Sequence, residues 1–376
     1  MGQKLARDTF IVIFSALILR LLSVVITTIT SLNTYSHGDV SAFASAAAYI
    51  ADGIRQGVYT LPPNYSSTDH TWGTFLAPFW LIPGPSRIYA RIGIAVLGAI
   101  AVYNVYIIVR HYHSKYAGAI AILPMLFYPS FLFLHAVVLR EAMVLFGLTT
   151  AARLLLVPGP RMTNAQQYFL ASFFLGIATV LREDNLPIYL FTLAVAAVFK
   201  LQPWHQYERL LQVFIGIGAA VSPVFVVRYG RDVLDQLLFY RRVRARGRTA
   251  YLGSVFPDTI PKAIVFSWIG AAYFLFTPFP WMISQLMDFV IAFEGLANVI
   301  YTIAMITGAR VLAQKTLPGT MALVVGIIVG AVLYGLGTVN VGTAVRHRQM
   351  LLWAIFLLGG IGLAEHISIR LPERDT

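Results

Sequence analysis

The sequence predicts an all-α fold, a bundle of about ten transmembrane helices with amphipathic interfacial helices on the outer face. Hydrophobic residues make up 58% of the 376 positions and charged residues only 12%. Soluble globular domains carry about 25% charged residues, so this composition excludes an ordinary soluble enzyme. Intrinsic disorder needs the opposite composition and is excluded as well. Cysteine is absent, so disulfides, thiol nucleophiles and cysteine-ligated metal sites are excluded too.

The spans are predicted from apolar segments that approach the length of about 20 residues needed to cross a bilayer. Ten segments qualify: 9–30, 88–109, 116–136, 141–157, 167–181, 186–200, 210–228, 285–309, 318–336 and 349–364. Two more apolar stretches, 71–83 and 263–279, are interrupted by proline and glycine and are expected to lie in the interface. An even number of spans places both termini on the same side of a single transmembrane domain over 1–376.

The lysines predict the orientation of the chain. Four of the five lysines lie at the N-terminus or in loops on the same side of the membrane as the N-terminus. The positive-inside rule therefore places both termini in the cytoplasm. The outer face then holds two loops, 31–87 with a predicted interfacial helix and 229–284 with an arginine-rich segment. The inverted orientation is the alternative, because that face also carries many arginines.

The excess of arginine over lysine is the second feature of the charge distribution. The net charge is +12, and only 5 of the 28 basic residues are lysine. A guanidinium group binds phosphate and carboxylate in a bidentate geometry that an ammonium group lacks. Arginines that gather on the outer face therefore favour an anionic ligand.

The first candidate site is the start of the helix predicted in loop 31–87. Asp39 follows His37, and apolar residues then recur at helical spacing: Phe43, Ala47, Ile50 and Ile54. Backbone N–H groups in a first helical turn stabilise a carboxylate, so we expect Asp39 to stay ionised and to accept a proton from a hydroxyl. A plain helix-capping role for Asp39 is the alternative, and the local sequence alone favours it.

Charged turns between spans form the next two candidates. One turn carries Arg140 and Glu141, and the next outer turn carries Arg182, Glu183 and Asp184. Because both turns lie at the same predicted depth, they are placed to face one cavity. A pair of interfacial salt bridges is an equally weighted alternative.

Two arginine clusters complete the outer face. The first contains Arg241, Arg242, Arg244, Arg246 and Arg248, and the second contains Arg346 and Arg348 before the last span. We interpret both clusters as binding sites for phosphate or diphosphate. The alternatives are a solvated electrostatic patch for the first cluster and contact with lipid phosphates for the second.

Charges inside the spans are expected to be paired. Arg20 and Glu294 both lie near the middle of their spans, so we predict a structural ion pair between them. No histidine spacing fits a metal site, and no phosphate-binding loop is present. The sequence therefore predicts neither a metal site nor a nucleotide cofactor.

The order of these motifs resembles the GT-C superfamily of integral-membrane glycosyltransferases, in particular the branch with protein O-mannosyltransferases and aminoarabinose transferases. The matching residues occur in the same order along the chain: His37-Gly38-Asp39, Leu139-Arg140-Glu141, Pro278-Phe279-Pro280-Trp281, Glu294 and Arg346-His347-Arg348. The chain departs from that pattern because it has no acidic pair at Asp39 and no large C-terminal soluble domain. The first departure leaves the use of a divalent metal open, and the second leaves the acceptor unspecified.

The resemblance implies an inverting enzyme that moves a sugar from a polyprenyl phosphate or diphosphate to an acceptor hydroxyl on the outer face. It implies that Asp39 is the general base and that the two arginine clusters hold the phosphate. The residues implied to orient the substrates are His37, Arg140, Glu141, Arg182, Glu183 and Asp184. The implied partners are membrane lipids, the lipid-linked sugar and a glycan, lipid or protein acceptor, with no nucleic acid. The implied location is the cytoplasmic membrane of a prokaryote.

Three other functions remain open at this point. A polymerase or ligase of lipid-linked glycans would rely on arginine and histidine and would tolerate the loss of the Asp39 carboxylate. A transporter or flippase of lipid-linked sugars would favour internal repeats and midplane charges, which the sequence does not show. An inactive relative that only binds lipid phosphate is the third.

Overall fold

A computed structural model describes residues 2–30, 37–157, 159, 162–200, 231–232, 234–239, 241–243, 245 and 248–367, with the side chains of 2–6 and 37 left aside. Over these residues the structure is helical and contains no strand, apart from an isolated antiparallel bridge between Ala250 and Asn340. The predicted all-α class is therefore confirmed. The predicted span 210–228 lies outside the described residues.

Thirteen helices are labelled here within the described ranges. They are α1 (Gly2–Ile29), α2 (His37–Arg55), α3 (Ser67–Leu81), α4 (Ser86–Tyr112), α5 (Lys115–Phe127), α6 (Pro129–Leu134), α7 (Glu141–Leu156), α8 (Asn164–Leu181), α9 (Leu186–Lys200), α10 (Ile260–Phe276), α11 (Leu286–Ala313), α12 (Leu317–Gly337) and α13 (Val341–His366). Single 3-10 turns cover Glu183–Asn185 and Pro280–Met282. The described residues between 231 and 243 are helical as well.

Five of these helices are long and apolar enough to cross a membrane: α1 over Arg7–Ile29, α4, α11, α12 and α13. Helices α5 and α10 are apolar but shorter. The predicted spans 141–157, 167–181 and 186–200 form α7, α8 and α9. The structure thus shows the character of a membrane protein, and within the described residues it supports five candidate spans out of the ten predicted.

Two predicted segments have different ends in the structure. The predicted span 116–136 is divided into α5 and α6, because Pro129 lacks the N–H that would continue α5 and instead begins α6. The last predicted span, 349–364, begins earlier, at Val341. Arg346 and Arg348 consequently lie inside α13 and not in a turn before it.

The chain divides into two compact units, each formed from several segments. The first unit is Met1–Asp184 with Val299–Lys315 and Leu352–Thr376, and the second is Asn185–Asn298 with Thr316–Leu351. In the first unit, α4 packs against α1, α5 and α7, while α2 packs on α3 and α7 on α8. In the second unit, α12 packs against α9 and α10.

Helix α2 buries much of its apolar face against α3, where the sequence predicted an interfacial helix. Phe43, Ala47 and Ile50 are buried, whereas Ile54 is exposed. Three contacts join the helices: Ala46 meets Gly73, Ile50 and Ala51 meet Ala77, and Arg55 donates to the Trp80 carbonyl. Because the residue numbers increase in the same direction on both helices, α2 and α3 run parallel. A Cβ atom at Gly73 would lie 2.9 Å from that of Ala46, so glycine permits this close approach.

Candidate functional site

Asp39 lies in the first turn of α2, as predicted, and it is exposed. The first turn of a helix presents backbone N–H groups that favour a carboxylate. The helix behind Asp39 is held by its packing on α3, so the carboxylate is attached to a well-supported element. The side chain of His37 lies outside the described part of the structure, and its predicted role stays a prediction.

Helix α3 connects this helix pair to the charged end of α7. Trp72 of α3 is buried and donates its indole N–H to the Val138 carbonyl at 2.9 Å. Val138 lies two residues before Arg140, at the start of the first charged turn. The α2–α3 pair and this charged turn are therefore joined within the first unit.

The two charged turns meet at one end of the α7–α8 pair. Glu141 begins α7, and its Oε1 atom lies 2.8 Å from Nη2 of Arg182, the residue that follows α8. Arg140 donates to the carbonyl of Leu181, the last residue of α8, at 2.6 Å. The acid thus lies at a helix N-terminus and the arginines at a helix C-terminus, as the helix dipoles favour.

A salt bridge therefore connects the two predicted turns. Glu141 and Arg182 are both buried, whereas Glu183 and Asp184 are exposed in the 3-10 turn that follows. The structure brings Arg140, Glu141 and Arg182 together. The two exposed acids are the members of this group that are open to solvent.

Arg241, the first member of the long arginine cluster, supports the chain around it. Its side chain is buried and donates to the carbonyls of Val255 at 2.7 Å, Leu252 at 2.8 Å and Leu336 at 3.2 Å. The guanidinium also lies 4.6 Å from the centroid of the Phe266 ring. Burial lowers the pKa of Arg241 to about 10, so the group is still charged at neutral pH. These contacts hold the segment 252–255 to the end of α12.

The other described arginines of this cluster are exposed. Arg242 lies over the Phe256 ring, 5.6 Å from its centroid. Arg248 forms an ion pair with Asp288 at 2.6 Å, and it also contacts the Ser284 hydroxyl. Arg244 and Arg246 lie outside the described residues, so their predicted phosphate contacts stay predictions.

Arg348, of the second arginine cluster, is fully buried in the second unit. It donates to the Leu275 carbonyl at 3.4 Å and to the Thr277 carbonyl, and it lies 3.4 Å from Oε2 of Glu294. Asn298 donates to the same Leu275 carbonyl at 3.2 Å. Arg346 is half-buried, two residues earlier in α13. Arg348 therefore closes the end of α10, a role that its position in the sequence did not indicate.

Arg20 and Glu294 have partners other than those predicted for them. Glu294 pairs with Arg348, and Arg20 donates to the carbonyls of Ala16 at 3.2 Å and Met125 at 3.1 Å. The prediction assigned an acid to Arg20 because it considered only charge compensation. A backbone carbonyl that lacks a helical donor, such as that of Met125, satisfies a buried guanidinium as well.

Tyr334 of α12, which the sequence did not single out, is buried in the second unit. Tyr334 donates its hydroxyl to Oδ1 of Asn185 at 2.5 Å, and its ring lies 5.1 Å from that of His347. Tyr251, which follows the arginine cluster, is buried as well. A search for charged motifs does not find such residues, because buried tyrosine and asparagine resemble ordinary core residues in one sequence.

The described residues contain no group of three histidine, aspartate or glutamate side chains placed to hold a metal ion. Comparisons with family models, with curated proteins and with solved structures each returned no match to this chain.

Proposed function

We propose that the chain is a membrane glycosyltransferase that uses a sugar linked to a polyprenyl phosphate or diphosphate. The acceptor hydroxyl oxygen attacks the anomeric carbon as the bond from that carbon to the phosphate oxygen breaks. Asp39 takes the hydroxyl proton, and the departing polyprenyl phosphate keeps the electron pair of the broken bond. One displacement inverts the anomeric configuration. The reaction needs no nucleotide.

The position of Asp39 carries this proposal. Its carboxylate is exposed at the start of α2, directly after the first candidate span, on a helix held by α3. A general base must reach its proton in a fixed geometry, and the supported first turn of a helix favours such a geometry for a carboxylate. In this proposal the membrane is the cytoplasmic membrane of a prokaryote, the chain has about ten spans, and Asp39 faces outward.

The charged end of α7 and α8 serves as a support in this proposal. Arg140, Glu141 and Arg182 hold the two helix ends together, which positions the exposed acids Glu183 and Asp184 to orient a sugar or acceptor hydroxyl. These are positioning roles, since Glu141 and Arg182 are buried.

The donor phosphate is assigned to exposed or half-buried arginines of the two arginine clusters. Arg242, Arg248 and Arg346 are proposed to bind it and to offset the negative charge that grows on the leaving group. Arg241 and Arg348 are left out of this direct contact, because they are buried and donate to backbone carbonyls. Arg244 and Arg246 keep the role that the sequence suggested.

The test is sugar transfer by the purified full-length protein from a panel of polyprenyl-phosphate and polyprenyl-diphosphate sugars. Loss of a general base costs about 100- to 10,000-fold. We therefore expect Asp39→Asn to lower kcat by at least that lower factor while the KM for the donor changes little. The matched control is Asp52→Asn on the same helix, where an exposed aspartate pairs with Arg55 at 2.6 Å. Asp52→Asn is expected to retain transfer.

Other outcomes of the same test would contradict the proposal. Transfer that persists in Asp39→Asn points to a polymerase or ligase that relies on arginine and histidine. Movement of the lipid-linked sugar across vesicles without a new covalent product points to a flippase. No turnover with any donor, together with full function of Asp39→Ala in cells, removes the transferase altogether.

A further inference from the structure

A buried hydroxyl in the second unit lacks a hydrogen-bond partner. Tyr251 is 5% exposed, and among the described residues its hydroxyl contacts no donor or acceptor. Its backbone N–H donates to the Val339 carbonyl at 2.8 Å, so the residue is held in place. Thr338, next to Val339, is 1% exposed, and its hydroxyl likewise has no partner in the described part of the chain. Buried polar groups are normally satisfied, so the Tyr251 hydroxyl is a candidate hydrogen-bond donor to a bound ligand.

The surroundings of Tyr251 are positively charged. The guanidinium groups of Arg241 and Arg348 both act electrostatically on its hydroxyl. Burial raises the pKa of Tyr251, more than these two charges lower it, so the hydroxyl stays protonated and acts as a donor at neutral pH. A hydrogen-bond donor that is influenced by two positive charges favours an anionic oxygen as acceptor.

Among the described residues, the two arginines that act on Tyr251 leave a surplus of one positive charge. Arg348 is compensated by Glu294, which lies 3.4 Å away. Arg241 donates to three carbonyls and contacts no acid among the described residues. One uncompensated positive charge matches a ligand with one negative charge, such as a phosphodiester. A diphosphate would bring a second negative charge to a surplus of one.

A series of aromatic ring contacts connects an exposed residue to the Tyr251 ring. We call this series the aromatic stack: Trp281 and Phe279 are stacked, Phe279 meets Tyr273 edge to face, and the rings of Tyr273 and Tyr251 are tilted. The ring centroids are 4.8 Å apart for Trp281 and Phe279, 4.9 Å for Phe279 and Tyr273, and 5.5 Å for Tyr273 and Tyr251. Trp281 is 71% exposed at the outer end of the stack, whereas Tyr251 is buried at the inner end. Such a series of rings suits a sugar ring or an isoprenoid chain that extends from a bound phosphate.

We propose that the Tyr251 hydroxyl binds the phosphate oxygen of a membrane phosphodiester with a single negative charge, whose remaining part lies along the aromatic stack. The site lies within the second unit. Its place in sugar transfer rests on the function proposed above, and it then selects donors with a monophosphate over donors with a diphosphate. The binding site itself does not depend on any transfer reaction.

Binding is measured with the purified full-length protein in nanodiscs of zwitterionic phosphatidylcholine. The probes are a short-chain polyprenyl phosphohexose, the diphosphohexose of the same chain length, and phosphatidylglycerol. We expect the phosphohexose to bind more tightly than the diphosphohexose. Loss of one hydrogen bond to a charged group weakens binding by about 10- to 100-fold, and we expect Tyr251→Phe to weaken phosphohexose binding by this factor. Trp281→Ala, at an exposed position, is expected to weaken the same binding.

Thermal stability without ligand separates a binding role from a structural one. Tyr251→Phe removes a hydroxyl that has no described partner, so the melting temperature of the ligand-free protein should stay equal or rise. The matched control is Tyr301→Phe, the same change at a buried tyrosine of the first unit that donates to the Ile120 carbonyl at 2.7 Å. That variant should melt at a lower temperature and bind the probes as the wild type does.

Each outcome bears on the site. Unchanged phosphohexose affinity in Tyr251→Phe, a lower melting temperature of that variant without ligand, or tighter binding of the diphosphohexose would each overturn the proposal. Phosphatidylglycerol binding that depends on Tyr251 in the same way supports the phosphodiester site and identifies bulk lipid as its source. Because binding of the probes is measured without a transfer reaction, a failure of the transferase proposal is distinguishable from a failure of this site.

Discussion

Several arginine side chains of this protein cap the C-terminal ends of neighbouring helices. Five of them donate to a carbonyl in the last turn of a neighbouring helix: Arg20 to Met125 of α5, Arg55 to Trp80 of α3, Arg140 to Leu181 of α8, Arg241 to Leu336 of α12 and Arg348 to Leu275 of α10. The last carbonyls of a helix have no donor within it, and positive charge there complements the helix dipole. A guanidinium offers five N–H donors in a fixed fork, where an ammonium offers three. Part of the excess of arginine over lysine therefore serves the fold and needs no external phosphate.

The adjacent residues Arg241 and Arg242 test this role. Lysine at 241 keeps the charge but loses the fork that reaches three carbonyls, so some of these carbonyls lose their donor. Each unsatisfied carbonyl costs about 1–3 kcal/mol, so we expect Arg241→Lys to destabilise the protein by about 2–4 kcal/mol. Arg242→Lys, at an exposed neighbour, should stay within about 0.5 kcal/mol of the wild type. Thermal unfolding of both variants in one detergent gives the comparison, and equal effects would contradict the capping role.

At the scale of elements, two prolines shape α5 and its end. A helical N–H bonds the carbonyl four residues earlier, so Pro124 leaves the Ile120 carbonyl without a donor and Pro129 leaves that of Met125. Side chains from elsewhere in the first unit supply both bonds. Tyr301 donates to Ile120 at 2.7 Å, and Arg20 donates to Met125 at 3.1 Å. The proline positions thus determine where the buried polar groups of α1 and α11 find their partners.

A double-mutant cycle at Pro124 and Tyr301 measures this dependence. Tyr301→Phe should cost about 1–2 kcal/mol in the wild-type background, because the Ile120 carbonyl loses its donor. In the background of Pro124→Ala, the restored backbone N–H bonds that carbonyl, so the cost of Tyr301→Phe should fall by about 1 kcal/mol. Additive effects of the two substitutions on the free energy of unfolding would show that the hydroxyl does not replace the missing N–H.

At the scale of the whole molecule, charge and hydropathy predict a membrane protein whose termini face the cytoplasm. The five candidate spans of the described residues agree with the membrane assignment. The orientation still depends on the lysines, since arginines that cap helices carry little information about topology. A direct measurement of sidedness tests this orientation.

The absence of cysteine makes this measurement straightforward, because each introduced thiol is the only one in the chain. Gln56 follows α2, and Gln314 follows α11; both are exposed. We expect a membrane-impermeant maleimide to label Gln56→Cys in intact cells and to label Gln314→Cys only after permeabilisation. The reverse pattern would invert the topology and place Asp39 in the cytoplasm, which would contradict transfer on the outer face.

Much of the fold follows from local sequence patterns. Apolar length predicts the helices, Asp39 marks the start of α2, and the Arg182 turn follows α8, because helix ends depend on nearby residues. The division at Pro129 and the early start of α13 were missed. The first involves competition between one long and two short helices, and the second requires charged residues inside a helix, which hydropathy alone disfavours. Of the candidate site, the sequence predicts the place of Asp39 but not the buried hydroxyl of Tyr251.

The sequence by itself determined the class of this protein, an all-helical membrane protein, because composition and hydropathy report directly on the solvent that surrounds the chain. It also determined which charges exist and their order along the chain. Only the tertiary structure decided the partners of those charges, such as Glu294 for Arg348 and the Met125 carbonyl for Arg20. A buried charge is satisfied by whichever unpaired group the packing brings within reach, and that group can lie anywhere along the chain.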